Sequence, residues 1–454
     1  MQTKVLNLLN ERNYKAVIES FTSMNETDIA ELFDGLYKEN LLENNKFIAL
    51  FRLLPKDLAA DVFSYMDSDM QKLLVTSFTD RELQNVISEL YIDDTVDMLE
   101  DMPANLVSRI IAQTDSETRK QINEILRYPK DSAGSLVNTD YITVRRDYSV
   151  DKAIEAVRKN GLKKETVYTL YVTENRKLVG VLSLLDLLVA DNSLSVEDLM
   201  EKNVISVNTL DDKEIVADTL SKYDFAALPV VDNDNRMVGI ITFDDAMDII
   251  EEETTEDFEK MAAVAPSTDS YFKTSVLTHA KNRIVWLLVL MLSATVTGIV
   301  ISSYEAAFAA VPLLVAFIPM ITGTGGNCGS QTSTMIIRGM SLDEIKLRDF
   351  FKVLFKEFRI SLICGMVLAL VNGVRIVLTY TSDPTVDAVR LAITVSLGIL
   401  VTVIMSKSIA CILPMLAKKM RLDPAIMASP LITTIVDICS TLIFFSIATK
   451  IFAL

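Results

Sequence analysis

The stretch LYVTENRKLVGVLSLLDLLVA (170–190) returns as LPVVDNDNRMVGIITFDDAMDII (228–250). Each copy is a β-rich run, a polar turn, a second β-rich run and an amphipathic helix. Gly180 matches Gly239, and Asp186 and Asp245 each follow their glycine by six residues. A repeat of this kind is one supersecondary unit used twice. The region 135–257 therefore reads as two like α/β domains, bounded at about 133–195 and 196–257.

Upstream, residues 54–113 show a period of 12, in which Leu54, Met66, Phe78, Leu90 and Met102 each open a short amphipathic block. Asp57, Asp69, Asp93 and Asn105 follow four of these by three residues, where a short polar side chain can cap a helix. Residues 1–132 are expected to form an acidic α-helical solenoid. Two acidic clusters exceed what caps and solubility require. One is Asp93, Asp94, Asp97, Glu100 and Asp101; the other is Asp244, Asp245, Asp248, Glu251, Glu252, Glu253, Glu256 and Asp257. Like charges at i, i+4 repel, so as a group they point to divalent cations as ligands. A solvated acidic face is the plain alternative for any one of them.

Downstream, apolar stretches reach the roughly 20 residues that a helix needs to cross a bilayer. Five are counted, over about 284–303, 306–337, 359–380, 389–416 and 427–452. The second is interrupted by Gly323-Thr-Gly-Gly326 and is expected to bend or unwind there. Lys and Arg collect on the cytosolic side. They precede the first span (Lys281, Arg283), lie between the second and third (Arg338, Lys346, Arg348, Lys352, Lys356, Arg359) and between the fourth and fifth (Lys418, Lys419, Arg421). The other two loops offer Glu305, and Asp383 with Asp387. The N-terminus, too polar for a secretory signal, is expected inside and the C-terminus outside.

Within the spans Asp437 is the one carboxylate set deep in an apolar segment. Such an acid is costly unless it is protonated, paired or facing water. Lys407 in the fourth span is a possible structural partner; a pore carboxylate is the functional reading, favoured by Thr433 and Thr434 one turn earlier. The run from Pro319 to Gln331 holds further polar residues and glycines. Asn327 and Gln331, four apart on one helical face, suggest a pore lining, and close helix packing through small residues is the bland alternative.

Charge divides the chain in the same way. Residues 281–454 hold 15 Lys+Arg against 9 Asp+Glu, and residues 1–280 hold 29 against 52. The acidic first part argues against nucleic acid, whose phosphates need clustered basic residues. Cys328, Cys364, Cys411 and Cys439 lack metal-ligand spacing and imply no disulfide. With His279 the single histidine, an HExxH zinc site cannot be built, and neither a P-loop nor a Rossmann fingerprint is present. An enzyme is therefore not expected.

The repeat resembles tandem CBS domains, which pair into a pseudo-symmetric module and commonly bind adenine nucleotides. The whole order of parts resembles the MgtE family of magnesium channels and transporters. The most specific points are GTGGNCGSQ at 323–331, Asp423-Pro-Ala425, and the stretch from Pro430 to Asp437. The resemblance implies a multidomain membrane protein: solenoid N-domain (1–132), CBS domains (133–195 and 196–257), a connecting plug helix (258–280) and a five-helix transmembrane pore domain (281–454). It also implies a multi-pass homodimer in a bacterial plasma membrane that conducts Mg2+. Facing Asp437 carboxylates would hold the hydrated ion, with Thr433 and Asn327 at the pore, while Ser429 departs from some relatives. Cytosolic Mg2+ sites would fall on Asp93 and Asp97; on Asp212, Glu214, Asp224, Asp245 and Asp248; on Glu253, Glu256 and Asp257; and on Asp423. ATP between the CBS domains is implied as a regulator.

Overall fold

The computed structural model describes the chain except Asn40, Thr268–Ser270, Lys273, Ala306–Phe308, Ala310, Asp383–Thr385 and Leu454, and except the side chains of Asp57, Lys163 and Ser429. It forms two compact units, Met1–Glu251 and Glu252–Leu454.

Among its described residues the first unit begins with ten short helices between Gln2 and Ile125. The 12-residue apolar period marks the junctions between them: Leu54, Met66, Phe78 and Met102 are buried and Leu90 packs against the same core. Each stands one residue before a helix N-cap, at Pro55, Asp67, Thr79, Tyr91 and Pro103. The expected caps Asp69, Asp93 and Asn105 thus fall inside the first helical turn, where an acid is favoured by the exposed backbone N–H groups without needing to cap them; the Asp57 side chain lies outside the description. Among the described residues of these ten helices, a full capping box forms only at Thr79, with Glu82.

The repeat folds as two three-stranded sheets. In the first, β1 (Thr143–Arg145) lies parallel to β2 (Thr169–Glu174), which pairs antiparallel with β3 (Lys177–Ser183). In the second, β4 (Val207–Asn208), β5 (Ala227–Val231) and β6 (Met237–Thr242) repeat the pattern. Both hairpins shift register at the matched position, after Val172 and after Val230. The copies join through their turns, where Leu178 N donates to Asn235 O (3.1 Å) and Met237 N to Arg176 O (2.9 Å). Gly239 is needed because a Cβ there would stand 2.4 Å from the carbonyl oxygen of Asn138.

The helix after β6 runs without a break from Phe243 to Met261. Among the described residues no separate helix runs over 258–280, where a connecting helix was expected. The start of that range is the end of this helix, and the next one begins at Val276.

Among its described residues the second unit holds five long helices: Val276–Ser302, Ile318–Ser341, Phe350–Tyr380, Ala388–Lys419 and Ser429–Phe452. Among the described residues four segments are long and apolar enough to cross a membrane by length and composition: Val276–Ser302, Leu347–Tyr380, Ala388–Lys419 and Pro424–Phe452. The helix Ile318–Ser341 is more polar. It is continuous, so the bend expected at Gly323–Gly326 does not occur. Its glycines are contact surfaces instead. A Cβ on Gly325 would meet Thr402 and Val436 at 2.7 and 2.8 Å, one on Gly326 would meet Thr433 at 3.0 Å, and one on Gly329 would meet Ile432 and Ser406 at 2.8 Å. Small residues here let three helices approach closely.

Candidate functional site

Within the first unit the two acidic clusters meet. The helix Ile92–Glu100 brings Asp93, Asp94 and Asp97, and the start of Phe243–Met261 brings Asp244, Asp245 and Asp248, to one cleft of about 920 Å3. Asp61 and Glu165 also line it; neither was marked by the sequence, where each is a single acid in an unremarkable context. The helix phase explains the gathering, because residues 93, 94 and 97 share a face opposite the buried Val96 and Leu99.

One buried amide organises the cleft floor. Asn138, fully buried, donates through Nδ2 to Asp93 Oδ2 (2.8 Å) and to Glu165 Oε2 (3.2 Å). Asp245 Oδ2 accepts from Thr242 Oγ1 at 2.6 Å. Burial, then the neighbouring carboxylates, pushes Asp94, Asp97 and Asp245 up to about 7 and Glu165 up to about 8. Asp93 is raised as well, mainly by burial, against the hydrogen bonds that favour its charged form. Water reaches Asp97 through the cleft mouth, which screens the repulsion it feels. The cleft thus stores negative charge that is unfavourable until a cation or a proton neutralises it. Its acidic side chains offer carboxylate oxygens, the hard ligands that suit Mg2+ or Ca2+. Among the described residues no three His, Cys, Asp or Glu side chains form a direct metal-ligand set.

Asp212, Glu214 and Asp224 are not among the residues that line this cleft. Asp212 caps the helix Lys213–Tyr223, its Oδ1 accepting from Glu214 N at 3.0 Å, and Asp224 ends that helix in the left-handed region (φ 53°), which Asp tolerates.

Glu253, Glu256 and Asp257 belong to the second unit. Lys260 Nζ lies 2.6 Å from Glu256 Oε1 and 2.8 Å from Asp423 Oδ2. Burial works against the Lys260 charge, but the two carboxylates outweigh it and raise the ammonium above its ordinary value. Asp257 is raised by burial and by Asp423 beside it. Asp423 Oδ1 accepts from Ala425 N (2.8 Å), starting the short turn that leads into Ser429–Phe452.

On that last helix Asp437 is half-buried, and among the described residues its carboxylate forms no ion pair. Lys407, weighed above as its partner, is engaged elsewhere. It donates to Thr332 Oγ1 (3.0 Å), which in turn donates to Glu357 Oε2 (3.0 Å), and Lys407 Nζ lies 3.8 Å from Glu357. The third span was expected from about 359, whereas its helix starts at Phe350 and so includes Glu357. The packing of Gly326 on Thr433 sets Asn327, which is exposed, beside the last helix. Gln331 and Thr334 continue the exposed polar face of Ile318–Ser341.

A second cavity, of about 290 Å3, opens between the two halves of the repeat, lined among others by Thr169, Ser183, Asp186, Asn203, Ile205 and Phe225. Asp186 is the repeat partner of Asp245. That symmetry was visible in the sequence and could have flagged the cavity.

Comparison with known proteins follows this division. Residues 24–131 match the MgtE intracellular N domain, 133–193 and 196–252 match CBS domains, and 318–447 match a divalent cation transporter family, MgtE. The magnesium transporter MgtE of Thermus thermophilus is 32% identical over 97% of this chain and 96% of its own length; that of Bacillus subtilis is 31% identical over 96% and 94%. A crystal structure of the cytosolic domain of the Mg2+ channel MgtE in complex with ATP matches 55% of this chain and all of its own (32% identity, TM-score 0.51). The soluble part of a magnesium transporter matches 56% and 97% (28%, 0.51).

Proposed function

The chain belongs to the MgtE family of magnesium transporters, and on that premise we propose that it is a homodimeric Mg2+ channel closed by the Mg2+ it admits. It transports rather than catalyses, as its relatives do. In this reading all five long helices cross the plasma membrane of a bacterium, the N-terminus inside and the C-terminus outside. Asp437 of each copy faces the dimer axis, with Thr433 and Asn327 beside it. Mg2+ surrenders its water reluctantly, so facing carboxylates hold it through its hydration shell. The observation that carries the pore assignment is that Lys407 is committed to Glu357 and Thr332, which leaves Asp437 for a mobile cation.

The cleft supports the regulatory part. Asp93, Asp97, Asp245 and Asp248, together with Asp94 and Glu165, repel one another when ionised. Cytosolic Mg2+ relieves that repulsion and so favours the arrangement in which they are close. Asp212, Glu214 and Asp224 on the second CBS domain, and Glu253, Glu256, Asp257 and Asp423 at the connection to the pore, complete the proposed ligand set. A hydrated ion needs no tight triad of direct ligands, in keeping with the absence of one among the described residues. The cavity beside Asp186 is the proposed seat of ATP.

The test is Mg2+ flux into vesicles that hold the wild-type chain or Asp437→Ala, with internal Mg2+ varied. Wild-type flux that falls as internal Mg2+ rises, and no flux from the variant, is expected. Equal flux from both would remove Asp437 from the pore.

A further inference from the structure

Lys260 stands where the proposed regulatory ligands of the second unit converge. Its Nζ bridges Glu256 Oε1 (2.6 Å) on its own helix and Asp423 Oδ2 (2.8 Å) on the turn before the helix of Asp437. Asp257 lies close enough to Asp423 for the two charges to oppose each other, with Arg338 as a further basic neighbour. The Lys260 side chain is 24% exposed, and those of Glu256 and Asp423 are 35% and 31% exposed, so the bridge is half-withdrawn from water. We propose that Lys260 is a positioning residue: its tethered ammonium joins the end of Phe243–Met261 to Asp423 without Mg2+, and so holds the transporter partly closed when internal Mg2+ is low. This rests on the feedback reading above.

The physical reasoning concerns which cation is present. Mg2+ must be recruited from solution, whereas a lysine on the same helix is at its site at any ion concentration. Its two hydrogen bonds are charge-assisted, the stronger kind. With the ammonium removed, Glu256 and Asp423 lose the cation that bridges them, and the connection loosens until ions from solution replace the lost charge. Lys260 therefore sets how much of closure is independent of Mg2+, and its loss makes closure depend on Mg2+ more steeply. A merely structural surface pair would leave that dependence unchanged.

The experiment uses the full chain in vesicles, with internal Mg2+ clamped at several levels, for wild type, Lys260→Gln, Lys260→Met, Lys260→Arg and Lys260→Gln with Asp437→Ala. The Gln and Met variants are expected to pass about tenfold more Mg2+ at low internal Mg2+, the loss of one charge-assisted contact, and to close as wild type does when internal Mg2+ is high. The Arg variant, which keeps the charge and can reach both carboxylates, should behave as wild type. The double variant should pass nothing, showing that the added flux uses the pore. Low-Mg2+ flux of Lys260→Gln and Lys260→Met equal to wild type, or an Arg variant as leaky as they are, would overturn the proposal. A wild type indifferent to internal Mg2+ overturns the feedback reading itself, and is seen without reference to Lys260.

Discussion

Replacing Asp245 by Asn should stabilise the protein, by an amount that grows as pH rises from about 4 to about 7. Asp245 is raised from 3.8 to about 7 by burial and by Asp93 and Asp244. A shift of about 3 units corresponds to about 4 kcal/mol of disfavoured charge; water in the cleft and relaxation on mutation reduce this to about 1–2 kcal/mol. The sign follows from proton binding. Between pH 4 and 7 the folded state holds a proton that the unfolded state has released, so stability falls as pH rises through this window. At pH 4 the unfolded state has released only part of its proton, and Asn gains little. At pH 8 the carboxylate is ionised and Asn removes its repulsion while still accepting from Thr242. For a unit of this size about 1–2 kcal/mol raises the melting temperature by about 2–8 °C. Mg2+ bound in the cleft stabilises by about 2.7 kcal/mol at a hundred times its dissociation constant, so wild type should gain more from Mg2+ than the variant does. The assay is thermal unfolding of the full chain in detergent at pH 4 and pH 8, with and without Mg2+. A variant no more stable than wild type at pH 8, or equally stabilised at pH 4, would refute the account of the cleft.

Three other outcomes are expected. Gly239→Ala forces a Cβ against the carbonyl of Asn138, and should cost about 2–4 kcal/mol while disturbing the amide that holds Asp93 and Glu165; circular dichroism melts give the first and the Mg2+ response the second. Removing one partner of the buried Lys407–Glu357 pair, by Lys407→Met or Glu357→Gln, should cost about 3–5 kcal/mol, and the double change should recover much of it; melting in detergent decides, and strictly additive losses would show that the pair is not coupled. Phe225→Ala removes an aromatic wall of the cavity between the CBS domains and should weaken ATP binding about tenfold or more, read by calorimetry; unchanged affinity would place the nucleotide elsewhere.

The repeated β-rich runs and the period of 12 located elements because each is a local property of one element. That is why β2, β3, β5 and β6, and the junctions at Leu54 through Met102, were legible. Helix starts were read less well. A cap depends on backbone angles at one residue, so Asp93 passed for a cap although it lies in the first turn and faces the cleft. The glycines at 323–326 were read as a break, since weak helix propensity is the same in isolation whether a helix unwinds or packs closely. Contact with Thr402 and Thr433 settled that.

By itself the sequence determined the α/β repeat, the acidic and apolar halves, the long apolar helices and the family, all properties of composition, periodicity or motif. Only the tertiary structure decided which charges meet. It brought Glu165 and Asp61 to the acidic cleft, gave Lys407 to Glu357 rather than to Asp437, and set Lys260 between Glu256 and Asp423. An ion pair is fixed by distances of a few ångströms between residues far apart along the chain, and spacing in sequence carries no record of those distances until the helices have packed.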